Sequence, residues 1–185
     1  LIPLMNPKRI TILLFAMTLL SSLHAQVLGS LFFTGENDYV EIPNSPLNEI
    51  GSGDFTIEAW IKGKDNPDQF HQVILSNRGG NGFDGGIIFF FHGQWGGSEH
   101  KMLSLQLDAF NHIFINNGNF DGNLLDNECH HVAVSRRGKQ LSFYADGALL
   151  GTKAVKDPNN SVNFAGPLFI GRDRPSEMNF TGMVS

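Results

Sequence analysis

The only cysteine of the chain, Cys129, is followed at once by His130 and His131, and further along by Asp146. Thiolate, imidazole and carboxylate are the donors of zinc sites and of activated nucleophiles. Their spacing argues against that chemistry here. CHHVAVSR alternates apolar and polar residues like a strand, so His130 and His131 point to opposite faces and cannot share one ion without distortion. Cys129 falls on the face of His131, but no CxxC or HxxxH spacing accompanies it. The stretch reads as strands and a turn, with no catalytic residue. A second constellation is NGNFDGNLLDNE, residues 117–128. Taken as a twelve-residue calcium loop it offers Asn117, Asn119, Asp121, Asp126 and Glu128 as oxygen ligands, with Gly122 at the sharp turn. Asn stands where such loops want Asp first, and the flanks read as strands, so a solvated inter-strand loop competes with the calcium reading. A third is HGQWGGSEH, residues 92–100, which sets Trp95 in a glycine-rich loop where an aromatic face can stack on a sugar ring. Trp60, in mid-strand, is expected between the layers of the fold. Asn159 and Asn179 each begin a glycosylation sequon.

Strands must position these groups. DFTIEAWIK alternates, with Phe55, Ile57, Ala59 and Ile61 on one face and Thr56, Glu58, Trp60 and Lys62 on the other. GIIFFF is apolar on both faces, as a central strand covered on both sides is. MLSLQL, HIFI, VAVS, LSFYA and PLFIG continue the pattern, separated by turn-rich segments such as GGNGFDGG and DPNNS. In LSFYADGALL the Asp146-Gly147 pair supplies the positive φ angles of a type I′ hairpin. Many short strands and sixteen phenylalanines predict an all-β antiparallel sandwich with a thick core.

At 185 residues the chain has a one-domain length. Residues 1–25 read as a secretory signal peptide: a start at Met5, cations at Lys8 and Arg9, a mostly apolar run from Ile10 to Leu20, and cleavage after Ala25. That run is too short to span a bilayer, so no membrane insertion is expected after cleavage. Residues 26–185 carry 11 cations against 18 anions, a net charge of −7 with neutral histidines. Such a balance offers no footprint for phosphate backbones and excludes nucleic acid as a partner. One cysteine cannot make an internal disulfide.

The ordered motifs resemble the laminin-G-like, concanavalin A-like (pentraxin-like) jelly-roll modules of secreted proteins. LFFTGENDYVEIP looks like the opening strand pair of that family, DFTIEAWIK and ILSN like core strands, CHHVAVSR like its W-H-H-V-A-V strand, LSFYADGALLG like its Y-x-D-G hairpin, and LFIG and FTGMVS like its closing strands. The resemblance covers residues 26–185 and implies a jelly roll. Cys129 stands where the family has tryptophan, and Ser185 falls inside the expected last strand, from which further domains are expected after Ser185. The resemblance also implies a structural calcium where opening and closing strands meet, with Asp38 as a ligand and Ser185 in the place of its acidic partner. ENDYVE, residues 36–41, is similar in spacing to the E-x-D-x-x-E of laminarinase-type retaining glycosidases, whose chemistry needs two carboxyls about 5–5.5 Å apart. In a regular strand Glu36 and Glu41 diverge, and the same residues fit the opening strand pattern. The expected function is a secreted or cell-surface recognition module for a glycan or extracellular protein ligand, with a glycoside hydrolase or an adhesin spacer as alternatives.

Overall fold

The computed structural model describes residues 29–45, 50–68, 70–78, 86–93, 102–107, 111–114, 123–155, 166–173 and 178–185. Among these are twelve strands and no helix: β1 (Leu31–Thr34), β2 (Val40–Ile42), β3 (Phe55–Gly63), β4 (His71–Ser76), β5 (Ile87–His92), β6 (Met102–Leu107), β7 (Asn111–Phe114), β8 (His130–Arg137), β9 (Gln140–Ala145), β10 (Ala148–Ala154), β11 (Leu168–Ile170) and β12 (Thr181–Val184). They form two six-stranded antiparallel sheets, sheet A ordered β1-β12-β3-β8-β9-β10 and sheet B ordered β2-β11-β4-β5-β6-β7. The all-β antiparallel sandwich expected from the sequence is the observed architecture. The expected signal peptide, residues 1–25, lies outside the described residues.

Period-two patterning decides which side chains meet between the sheets. On sheet A, Ile61, Val132, Val134 and Phe143 face inward; on sheet B, Ile74, Phe89, Phe91 and Leu105 answer them in one core. Phe89, Phe91 and Phe143 are fully buried, and each such side chain stabilises the fold by roughly 1.5–3 kcal/mol relative to exposure. Strand β5, apolar from Ile87 to Phe91, is buried along its whole length, the terminal His92 included. Its other face, Ile88 and Phe90, packs with Val73 and Met178 in a second cluster, as a covered central strand requires.

Two turns carry most of the local constraint. Asp146 and Gly147 have φ of 48° and 78°, as the type I′ hairpin between β9 and β10 demands. Gly171 follows β11 at φ 87°, and a Cβ there would overlap the Phe33 ring. The two residues after Gly171 lock the closing segment. The Arg172 guanidinium stacks 3.2 Å from the Tyr39 ring centre, and the buried Asp173 pairs with Arg78 and accepts the Ser76 hydroxyl at 2.7 Å.

Candidate functional site

Strand β8 begins where the two histidines diverge. Alternation puts His130 in the row of Val132 and Val134 and turns His131 to the outer face, as the sequence predicts. Segment 123–128 closes over this end of sheet A. The Asn127 amide donates to the Gly63 carbonyl at 2.8 Å and the Asp65 amide to the Leu125 carbonyl at 3.1 Å. That pairing sinks Leu124 and Leu125 into the core and sets Asp126 opposite Lys64.

His130 is held between two carboxylates. Its Nδ1 lies 2.8 Å from Asp146 Oδ2 and its Nε2 3.1 Å from Asp126 Oδ1. With an acceptor at each ring nitrogen, only the doubly protonated imidazolium satisfies both contacts. Burial pulls the His130 pKa down, but the hydrogen bonds to Asp146 and then Asp126 outweigh it, and the net shift is upward. Burial pushes Asp146 up, against which His130 and the His131 amide prevail, leaving it below the usual range. Asp126 is lowered chiefly by the Glu128 amide, which it accepts at 2.8 Å, with a smaller contribution from His130. This arrangement ties segment 123–128 to the β9–β10 turn. Both nitrogens of the ring are committed, which leaves neither for a metal or a substrate proton. Cys129 is exposed beside it.

The outer face of sheet A is the second feature, and it corrects one expectation. Trp60 is not between the layers: it is 54% exposed. It shares the outward row with Thr56, Glu58 and Lys62, as the alternation of β3 requires; that local pattern prevails over the general tendency of a large aromatic to be buried. Trp60 pairs with His131 across the ladder, and the two rings lie 5.2 Å apart, tilted by 55°. His131 Nε2 is 3.5 Å from Glu58 Oε2, and the His131 amide donates to Asp146 Oδ1 at 2.8 Å. On the other side, Trp60 and Ser185 exchange two backbone hydrogen bonds of 2.9 Å. Two strands away, Phe32 is 68% exposed on the same face, with Met183 between.

The opening motif ENDYVE is not one strand. Thr34 ends β1 in sheet A, and Glu41 stands on β2 in sheet B, opposite Phe169. Glu36 lies in the bend between the sheets, its carbonyl accepting the Asn179 side chain. Asp38 shapes that crossing. Its Oδ2 accepts the Thr34 amide at 2.8 Å and the Thr34 hydroxyl at 2.5 Å, and these bonds, the hydroxyl first, hold its carboxyl below the usual range. Ser185 is not beside it. Register places Thr34 opposite Thr181 and Leu31 opposite Val184, so Asp38 and Ser185 mark opposite ends of the β1–β12 pair.

Of the calcium-loop candidates, Asp126 is engaged by His130 and Glu128 is exposed, while Asn117, Asn119 and Asp121 lie outside the described residues, as does Trp95. Among the described residues no three His, Cys, Asp or Glu side chains are grouped to hold a metal ion. Of the two sequons, Asn179 is buried, and Asn159 lies outside the described residues.

Two antiparallel sheets with the opening and closing strands paired, β1 to β12 and β2 to β11, define a jelly-roll sandwich. The chain belongs to the concanavalin A-like lectin/glucanases superfamily, through a laminin-G family model that matches residues 34–185. No curated protein matches it in sequence. Solved structures do match. Domain 4 of AbnA, a GH43 extracellular arabinanase from Geobacillus stearothermophilus determined in complex with arabinotriose, aligns with TM-score 0.59 at 10% identity, over 87% of this chain and 69% of that one. A heptameric SAP-like pentraxin from Limulus polyphemus aligns at 0.53 and 18%, over 80% and 72%. Domains LG4-5 of the mouse laminin alpha1 chain align at 0.59 and 13%, over 85% and 40%. At these identities the likeness is one of fold.

Proposed function

We propose that the chain is a non-catalytic recognition module of a secreted or cell-surface protein, holding a glycan or protein ligand on the sandwich. The observation that carries this reading is that ENDYVE is not one strand: Glu36 lies in the bend that follows β1, and Glu41 stands on β2. Retaining glycoside cleavage needs two facing carboxyls about 5–5.5 Å apart, and here one candidate carboxylate belongs to a strand and the other to the turn that precedes it. Asp38, the middle acid of the motif, is spent on Thr34. The superfamily includes lectins as well as glucanases, so the fold is compatible with binding alone. The arabinotriose complex of a structural neighbour supports a glycan ligand by analogy of fold.

The test replaces Glu36 and Glu41 by Gln and compares hydrolysis and retention of glycans. A recognition module shows no turnover in either form and retains its ligand in both. Reducing-end release by the parent chain that disappears in the double variant overturns the reading in favour of a hydrolase.

A further inference from the structure

We propose that the outer face of β1, β12 and β3 is the ligand platform, with Trp60 and Phe32 as stacking surfaces for an extended neutral glycan. The proposal rests on the recognition-module reading and names its site and ligand class. Three observations carry it.

The first is exposure where strand chemistry does not call for an aromatic. Trp60 and Phe32 are 54% and 68% exposed, on a face otherwise furnished with Thr56, Glu58 and Lys62. Rings exposed to water among hydrogen-bonding groups match a pyranose, which has an apolar CH face and a hydroxyl rim.

The second is preorganisation. The Trp60 backbone is fixed on both sides, by the β8 ladder and by the two bonds to Ser185. Its ring rests against His131, which Glu58 and Asp146 hold in turn. A backbone already held on both sides loses little further freedom when a ligand arrives.

The third is spacing and charge. Phe32, Met183 and Lys62 share one cross-strand row, and Trp60 is two residues along β3 from that row. Two strand spacings and two residues separate the rings by about 12 Å, roughly two linked sugar units. Among the described residues, the β3 part of this face presents one carboxylate, Glu58, and one ammonium, Lys62, on either side of Trp60, on a chain of net charge −5. That balance favours a neutral glycan over a sulfated or uronic one.

Affinity electrophoresis of the chain in gels containing laminarin, xyloglucan, galactomannan or arabinan tests this, with heparin as the anionic probe and isothermal titration for any hit. At least one neutral polysaccharide should retard the parent chain. Trp60→Ala should weaken that binding at least tenfold, Phe32→Ala several-fold, and Trp60→Phe should retain most of it, with circular dichroism showing each variant folded. Full binding by Trp60→Ala places the site elsewhere and overturns the platform, while the recognition reading stands. Retardation by heparin alone overturns the neutral class. Failure of every glycan, together with saturable binding of a purified extracellular matrix protein, overturns the glycan and keeps the module. Failure of both defeats the recognition reading as well as the platform.

Discussion

Replacing His130 by Gln removes the one group that bridges Asp126 and Asp146, and the consequence depends on pH. Both carboxylates are partly open to water, with side chains 40% and 39% exposed, while the imidazole is 13% exposed. Solvent screening therefore limits each contact to about 0.2–1 kcal/mol, well short of a buried pair. Together they contribute roughly 1 kcal/mol, which moves Tm by about 2–4 °C in a chain of this size. The sign of the pH dependence follows from the direction of each shift. The His130 pKa is raised above its ordinary 6.5, so its contribution is complete below that value and is lost as pH rises through the folded pKa. The Asp126 and Asp146 pKa values are lowered from 3.8, so their contribution is complete above that value and is lost as pH falls through their folded pKa values. The bridge is strongest between about pH 4 and 6.5. Thermal unfolding of parent and His130→Gln chains from about pH 4 to 9 should give a Tm gap of a few degrees near pH 5.5 that shrinks by at least half near pH 9. A gap that is flat or widens with pH would refute the imidazolium bridge.

Three further outcomes concern other parts of the fold. Gly171→Ala forces a Cβ into the Phe33 ring at a positive φ and should lower stability by about 2–4 kcal/mol, read from the urea midpoint. Asp173→Ala strips the buried partner from Arg78 and should cost about 3–5 kcal/mol, whereas replacing both residues by apolar ones should recover much of that loss in the same assay. Calcium should leave Tm unchanged at neutral pH, because Asp126 already serves His130 and Asp38 serves Thr34; a rise of several degrees that EDTA reverses would mark a site completed by residues 117–121.

The architecture was legible because its rules are local. Alternation in β3, the apolar run from Ile87 to Phe91 in β5 and the Asp146-Gly147 turn follow local rules, and each is where the sequence pattern puts it. What escaped was set by tertiary placement. ENDYVE reads as a spacing along one strand, whereas the chain turns from one sheet to the other within it. The His130 bridge needs the fold-over of segment 123–128, where the buried leucine pair was the available signal. Trp60 belongs outside although large aromatics are usually buried, and its own strand pattern points that way.

Strand β12, the last in chain order among the described strands, sits between β1 and β3 as an interior member of sheet A. Leu31 waits for Val184, and Ile61 waits for the same residue. Until then β1 and β3 each present an open edge, and the contacts that close them link distant parts of the sequence. Such non-local closure makes folding slow, in the range of milliseconds to seconds or longer. It also delays completion until β12 has been made, with a nascent chain whose unpaired edges are open to self-association.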